Sequence, residues 1–245
     1  MTPPQVDFDP KAARYDDLRP VDDAWWESFE AIVRAGDLRG RRVIEIGCGT
    51  GRLANALEER EHARVWAVDP SPSMVARAKS LGVNARVARG ESLPFKDGWF
   101  DRAVMRMVAH LVDRPRVFAE LARVLSPEGR IVVATEDPET FQHVWLTRFF
   151  PSALEIERAR FPGEEALRDE LATAGFTRVK FERLDVVRAA TRDHTLATIR
   201  EKAFSTFDLL SAEEYDAGLA KAEADLPGTF EHRFRWLLAV ADRAA

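Results

Sequence analysis

The residues best placed to do chemistry lie in a glycine-rich loop, Glu45-Ile-Gly-Cys-Gly-Thr-Gly51. A short apolar run, which predicts a buried strand, leads directly into glycines at alternate positions, and a helical pattern follows. Glycine lets the backbone pass close to a ligand, and in an open parallel sheet ligands bind outside the carboxyl ends of the strands. The loop therefore predicts a binding site for a small ligand.

The loop departs from the dinucleotide-binding fingerprint G-x-G-x-x-G. Counted from Gly47 and Gly49, the third glycine would fall at position 52, which is an arginine. Asp69 ends the next predicted strand, and an acid at about this distance accepts hydrogen bonds from both ribose hydroxyls of a nucleoside. Asp69 could instead cap the helix that begins near Pro72. With the glycine loop beside it, the ribose role is favoured.

Strands and helices alternate around these two motifs. The apolar patterns predict strands over residues 42–46, 64–68, 84–88, 100–105 and 130–134, and helices over 25–34, 52–60, 73–80 and 116–125. The remainder predicts helical segments over 140–160, a helix over 164–174, a long strand over 176–187, two helices within 194–225, and a last element over 234–240 that fits a strand or a buried helix. Such alternation predicts an α/β fold with a parallel sheet covered on both faces.

The composition sets the broad class. The 245 residues are 46% hydrophobic and 31% charged, which excludes a disordered or fibrous chain and supports a sizeable core. We expect one continuous domain in three parts: an N-terminal arm and helix that form a lid (1–34), a ligand-binding core (35–135), and a segment that completes the sheet and carries helical insertions (136–245).

Charge and composition also disfavour several partners. The net charge of -5 disfavours a nucleic-acid partner, and no apolar run approaches the roughly 20 residues that cross a bilayer. The single cysteine, Cys48, excludes an internal disulfide, and the acidic, proline-bearing start is unlike a signal peptide, so we expect a cytoplasmic protein. Five histidines are scattered without ligand spacing, so no metal is predicted.

Taken in order, the motifs resemble those of the class I S-adenosylmethionine-dependent methyltransferases. The resemblance rests on the glycine loop, Asp69, Gly90-Glu-Ser-Leu-Pro-Phe95, Phe100-Asp101 and Arg123-Val-Leu-Ser-Pro-Glu-Gly129. It covers about residues 8–190 and is nearest to the small-molecule branch similar to the quinone-biosynthesis methyltransferases. It implies a Rossmann-like sheet of seven strands, six parallel and one antiparallel, with S-adenosylmethionine as cofactor, S-adenosylhomocysteine as product and a small-molecule methyl acceptor.

The same resemblance implies roles at the methionine end of the cofactor. Gly47, Cys48, Gly49 and Gly51 pass beneath the methionine part with their backbone, and Glu45 helps to hold its amino group. A nucleophilic role for Cys48 is disfavoured, because a small residue suits a loop whose backbone does the binding.

At the nucleoside end, the resemblance places Asp69 on the ribose and Pro70 and Met74 on either side of the adenine. The Arg89-Gly90-Glu91 turn meets the adenine edge. Many relatives have an acid or amide at the position of Arg89, so here that contact must come from the backbone or from Glu91.

Four further residues are implied near the transferring methyl group. Met105 and Arg106, at the end of the fourth strand, approach the methionine and the acceptor, and Tyr15 belongs to an arm that closes over the cofactor. A general base helps only when the nucleophile is protonated and weakly acidic. His110, where relatives often have a histidine, could be that base, line the pocket, or be a hydrogen-bonded structural histidine.

The aromatic residues outside the predicted sheet could pack the extra helices or line an acceptor pocket; they are Trp25, Trp26, Phe141, Trp145, Phe149 and Phe150. An arm and insertions that cover the methionine end would place the acceptor beneath them.

Overall, the sequence predicts a small-molecule methyltransferase. The alternatives are an RNA methyltransferase, a cofactor-binding protein without transferase activity, and, least favoured, a nicotinamide-dependent oxidoreductase. The acceptor, the atom that is methylated (oxygen, nitrogen or carbon) and the oligomeric state are left open.

Overall fold

The computed structural model describes residues 6–244, and its centre is one seven-stranded sheet. The strands are β1 (Arg42–Ile46), β2 (Arg64–Asp69), β3 (Asn84–Val87), β4 (Phe100–Arg106), β5 (Leu125–Glu136), β6 (Phe176–Thr191) and β7 (Thr229–Arg243). Their order is β3-β2-β1-β4-β5-β7-β6, and β7 runs antiparallel to both neighbours while the other pairs are parallel. The predicted Rossmann-like sheet with one antiparallel strand is confirmed.

Nine α-helices lie in the described part of the chain. They are α1 (Asp23–Gly36), α2 (Arg52–Glu61), α3 (Pro72–Ser80), α4 (Arg114–Val124), α5 (Trp145–Phe149), α6 (Ala153–Arg160), α7 (Glu164–Thr173), α8 (Arg192–Arg200) and α9 (Ala212–Asp225). None of them is long and apolar enough to cross a membrane.

The sheet is covered on both faces because its strands are apolar on both. Along β1, Val43 packs among residues of α1, α2 and α3, whereas Ile44 and Ile46 pack against α4 on the opposite face. The segments 137–163 and 192–228 have an additional small core of their own, in which Phe149 and Phe150 pack against Leu196 and Phe207. Phe149 and Phe150 are therefore packing residues.

The last two strands are longer than the sequence pattern predicts. The final element is a strand, and it pairs with β6 from Phe176↔Arg243 as far as Thr191↔Thr229. The two strands thus continue past the end of β5 as a two-stranded ribbon. Asp22, which caps α1 by accepting from the Trp25 N–H at 2.9 Å, also lies 3.4 Å from the Arg188 guanidinium on this ribbon.

The helix before β5 also differs from its predicted bounds. α4 begins at Arg114 because the Asp113 carboxylate accepts from the Arg116 N–H at its start. The Ser126-Pro-Glu-Gly129 stretch continues as strand, so that β5 begins at Leu125 and not at residue 130.

The N-terminal arm is held from two sides. Asp16 accepts a hydrogen bond from the Thr50 hydroxyl at 2.7 Å, next to the glycine loop. Lys11 pairs with Asp208 at 2.6 Å, and Arg19 donates to the Ala203 carbonyl at 2.6 Å, both in the 192–228 segment. The arm therefore bridges the carboxyl edge of the sheet and the second insertion.

Candidate active site

A large cavity of about 1070 Å³ opens at the carboxyl ends of the central strands. Its walls come from the arm, the glycine loop, the ends of β4 and β5, the ribbon and both insertions. Most of the residues expected to bind the cofactor line it: Tyr15, Glu45, Gly47, Cys48, Gly49, Asp69, Pro70, Met74, Arg89, Gly90, Glu91 and Arg106, together with His110.

The glycine loop is fixed to the end of β2 by its own backbone. The N–H groups of Gly47 and Cys48 donate to the Val68 carbonyl at 2.8 and 3.1 Å, and the Gly49 N–H donates to Asp69 at 2.9 Å. Gly47 has a φ of 69°, and an added Cβ would lie only 2.4 Å from a Val108 methyl. Both the positive φ and the contact with Val108 exclude a side chain at position 47, so the loop backbone itself lines the cavity there.

Gly51 does not line the cavity, in contrast to its expected role. It is the N-cap of α2 with a φ of 86°, and an added Cβ would lie 2.8 Å from the Cβ of Ala78 in α3. Its small size serves the close packing of α2 against α3 and not a ligand.

Asp69 is buried, 8% exposed, at the end of β2, and it faces the cavity. Its two carboxylate oxygens accept from the Gly49 and Ser71 N–H groups, both at 2.9 Å. Burial raises its pKa, and the two backbone N–H donors act in the opposite direction. The cap of α3 is Ser71, whose hydroxyl accepts from the Met74 N–H at 3.1 Å, so the capping alternative for Asp69 is wrong.

The Arg89-Gly90-Glu91 turn after β3, which is expected to meet the adenine, lines the cavity. An added Cβ at Gly90 would lie 2.8 Å from Ile46, so only glycine permits this approach to β1. Glu91 is held in place because it accepts from the Asp113 N–H at 3.1 Å, while Arg89 remains largely exposed and lies 3.5 Å from Glu91.

Met105 and Arg106 point to opposite faces because they are neighbours on a strand. Met105 is completely buried in the core beneath α4 and does not line the cavity, so its expected contact with the methionine is wrong. The Arg106 guanidinium lies 5.4 Å from the ring centre of Trp25 and 4.9 Å from that of Trp236. Burial lowers the pKa of Arg106 to about 10, so it remains charged at neutral pH.

Three polar atoms without a partner in the described chain lie in the part of the cavity where the methionine portion of the cofactor is expected. Among the described residues, Oε2 of Glu45, Nε of Arg106 and Nε1 of Trp236 are buried and make no hydrogen bond. Burial, as the largest cause, raises the pKa of Glu45 to about 8, and the nearby Arg106 charge acts against it. One acceptor and two donors without partners fit the ammonium and carboxylate of an amino acid, and the buried Asp69 fits a ribose.

Tyr15 and His110 have different surroundings. Tyr15 lies over the loop, 4.0 Å from the position of an added Cβ on Gly49, with the Arg19 guanidinium 4.1 Å from its ring centre. His110 is stacked on Phe161 at 3.9 Å, and its Nδ1 has no partner among the described residues. Burial and nearby arginines hold the pKa of His110 well below its usual value, so the ring is neutral and a poor base.

The surroundings of Cys48 do not favour a reactive thiol. Burial raises the pKa of the Cys48 thiol well above its usual value, which disfavours a nucleophilic thiolate. No group of three or more histidine, cysteine, aspartate or glutamate side chains suited to a metal occurs in the described part of the chain.

The far end of the cavity contains residues that the motifs do not identify. Glu136 at the end of β5 and Arg188, His232, Phe234 and Trp236 on the ribbon all line it. Phe141 and Trp145 of the first insertion and Trp25 of α1 line it too, whereas Trp26 does not. The position of Glu136 at the carboxyl end of a central strand is the signal that could have identified it.

The comparisons with known proteins agree with this geometry. Residues 44–133 match the family model described as a methyltransferase domain. The chain is 31% identical over 212 residues to demethylmenaquinone methyltransferase of Thermus thermophilus, covering 72% of this chain and 94% of that protein. It is also 31% identical over 180 residues to malonyl-[acyl-carrier protein] O-methyltransferase of Halorhodospira halophila, covering 69% of this chain but only 59% of that protein.

Solved structures share the fold. A putative methyltransferase of Anabaena variabilis has a TM-score of 0.71 at 22% identity, covering 91% of this chain and 99% of that one. A Haemonchus contortus phosphoethanolamine N-methyltransferase 2, solved with S-adenosylhomocysteine, has a TM-score of 0.62 at 18% identity, covering 97% and 58%. The glycine loop and the strand order have the form expected of one family, and the Thermus thermophilus relative is matched over 94% of its length. The chain therefore belongs to the class I S-adenosylmethionine-dependent methyltransferases.

Proposed function

We propose that this protein transfers a methyl group from S-adenosylmethionine to a small molecule bound in the same cavity. The observation that carries the proposal is the continuity of that cavity from Asp69 and the glycine loop to Glu136 and the ribbon. A nucleoside at one end and an acceptor at the other would share one enclosed space, as direct transfer requires.

The ribose and the amino-acid portion of the cofactor each have residues suited to hold them. Asp69 would accept from the ribose hydroxyls, Glu45 would face the ammonium, and Arg106 with the Trp236 N–H would face the carboxylate. When bound, the cofactor supplies an electrophilic methyl group on a sulfonium, which needs alignment and exclusion of water more than activation.

The arm and the insertions form the cover that excludes water. The cover consists of the described part of the lid (6–34) and the segments 137–163 and 192–228. Its parts are tied to one another by the Lys11–Asp208 pair and to the glycine loop by Asp16. Opening of the arm, which has only Ala12 and Leu18 as buried apolar residues among those described before α1, would admit the acceptor.

The names of the relatives do not identify the acceptor of this protein. One is named for demethylmenaquinone and another for a malonyl-[acyl-carrier protein], and these are acceptors of different chemistry. The acidic net charge disfavours RNA as the acceptor.

Calorimetry with S-adenosylmethionine, S-adenosylhomocysteine and NAD tests the proposal. We expect both adenosyl compounds to bind and NAD to bind far more weakly, because the third glycine of a dinucleotide loop is Arg52. Tight NAD binding without a response to S-adenosylhomocysteine would overturn the proposal. Binding of both adenosyl compounds, with no methyl transfer to any acceptor in an extract of small metabolites, would support a cofactor-binding protein instead.

A further inference from the structure

Glu136 shares a wall of the cavity with Arg106 and Trp236. In the register, Glu136 is opposite Trp236 of β7, and Ala134 is opposite Arg106 of β4. Residues that are paired across strands, and residues two apart on one strand, project from the same face of a sheet. The carboxylate therefore lies one strand over from the arginine that faces the methionine end.

The Glu136 carboxylate has no hydrogen bond or ion pair among the described residues, although its neighbours do. The next residue, Asp137, accepts from the Glu139 N–H at 3.1 Å and lies 3.3 Å from the Arg183 guanidinium. Two other acids that line this end of the cavity are paired, Glu157 with Arg160 at 2.7 Å and Asp22 with Arg188 at 3.4 Å. Glu136 is half-buried and lines the cavity, so its carboxylate is open to a ligand that would serve as its missing partner.

The charges that face Glu136 come from three other elements. Burial raises its pKa to about 7, with Glu157 of α6 acting in the same direction and Arg188 of β6 and Arg19 of the arm acting against it. Both the ionised and the protonated form are therefore accessible at neutral pH, which suits a group that takes up a proton. Of the other groups on this wall, His232 has a pKa of about 3 and Arg106 a pKa of about 10, both far from this range. Glu45 has a pKa of about 8 in the ligand-free protein and is expected to be ionised once the cofactor is bound.

Resting on the methyltransferase function above, we propose that Glu136 binds a hydroxyl group of the acceptor and takes its proton, and that the acceptor is a neutral aromatic alcohol. The ring would lie among aromatic side chains of the cavity, namely Phe141, Trp145, Phe161, Phe204 and Phe234. An acceptor carboxylate placed against Glu136 would be repelled by its negative charge. An ammonium would face the arginines that hold His110 neutral.

The proton and electron balance is simple. The hydroxyl oxygen forms its bond to the methyl carbon as the carbon–sulfur bond breaks, and the electron pair of that bond goes to sulfur. The hydroxyl proton passes to the Glu136 carboxylate and from there to solvent after product release.

Three probes with the same ring test the acceptor class: 2-naphthol, 2-naphthoate and 2-naphthylmethylamine. Each is titrated at pH 8 into the protein saturated with S-adenosylhomocysteine. We expect 2-naphthol to bind most tightly. Glu136→Gln should raise the affinity for 2-naphthoate relative to 2-naphthol by about tenfold or more, because the unpaired negative charge that repels the carboxylate is gone. Glu139→Gln, an exposed glutamate three residues away that does not line the cavity, is the matched control and should change nothing.

Transfer to 2-naphthol provides the second readout. At saturating S-adenosylmethionine, kcat should rise with pH through about 7, where Glu136 ionises, and Glu136→Gln should lower kcat by about 100-fold and remove this dependence. Equal or tighter binding of 2-naphthoate by the wild type, or a probe preference unchanged in Glu136→Gln, would overturn the role of Glu136. In either case, normal binding of S-adenosylhomocysteine would leave the methyltransferase proposal intact, whereas failure of that binding would overturn the broader function.

Discussion

The protonation of Glu45 should be linked to cofactor binding. Its carboxyl is buried, has one oxygen without a partner, and has a pKa near 8 in the ligand-free protein. At pH 7 it is therefore mostly protonated. An ammonium placed beside it would favour the ionised form, so that binding of S-adenosylhomocysteine should release a proton.

The size of the effect follows from that pKa. With a free-state pKa of about 8 and a bound-state pKa below about 5, binding at pH 7 releases about 0.9 proton. The affinity should then rise by about 50-fold between pH 6 and pH 8, which corresponds to about 2.3 kcal/mol. The sign is set by the raised pKa, since the protonated form that dominates at low pH must lose its proton before it can pair with the ammonium.

Calorimetry in two buffers of different ionisation enthalpy measures the proton release directly. Glu45→Gln has the same shape and no titration, so it should bind with a pH-independent affinity and release no proton. If the wild type binds S-adenosylhomocysteine with no proton release at pH 7, then Glu45 is either ionised beforehand or does not face the ammonium. Arg106 and Asp69, the charges nearest to it, are present in both proteins and so cancel in the comparison.

Three other predictions follow from the same site. Asp69→Ala should weaken S-adenosylhomocysteine binding by about 3–5 kcal/mol, since two hydrogen bonds to a charged acceptor are lost; an unchanged dissociation constant in calorimetry would mean that the ribose is held elsewhere. Removal of residues 1–22 should leave the thermal unfolding transition cooperative, because few core residues are removed, but it should weaken cofactor binding about tenfold or more, because Tyr15 and Asp16 are lost. Full transfer activity in this truncation would show that the arm is not part of the site. Turnover should be unaffected by EDTA, because the positive sulfonium already activates the methyl group and leaves as a neutral thioether; a loss that added Mg²⁺ or Zn²⁺ restores would reveal a metal site.

Local patterns in the sequence were sufficient to predict which residues meet in the part of the cavity proposed for the cofactor. The glycine loop, Asp69 and the Arg89-Gly90-Glu91 turn each lie at the end of a short apolar run, and parallel strands bring such ends to one edge. The position of a residue at the end of a predicted strand therefore predicts that it lies near the other strand ends, and these residues do line one cavity. The parallel sheet could be predicted for the same reason, since each strand and its helix form a local unit.

Two assignments failed because they depend on side-chain direction and packing. Whether Met105 or Arg106 faces the cavity depends on which face of β4 is covered by α4, and that is decided by the assembled sheet. Gly51 looks like its neighbours in the loop, but its small size is required by Ala78 in α3, a contact between helices 20 or more residues apart in sequence.

The part of the cavity proposed for the acceptor could be recognised only in the tertiary structure. Glu136, Arg188, His232 and Trp236 are isolated in sequence and belong to no motif, and they meet because β6 and β7 extend past the sheet and pair over their whole length. The length of that ribbon and the docking of the insertions depend on contacts between distant segments, such as Asp22 with Arg188 and Lys11 with Asp208. By itself, then, the sequence predicted the parallel sheet and the glycine loop, because these depend on short-range pattern, and the order of its motifs indicated the cofactor through their resemblance to a family. Only the tertiary structure decided the shape and charge of the acceptor cavity, because these depend on long-range packing.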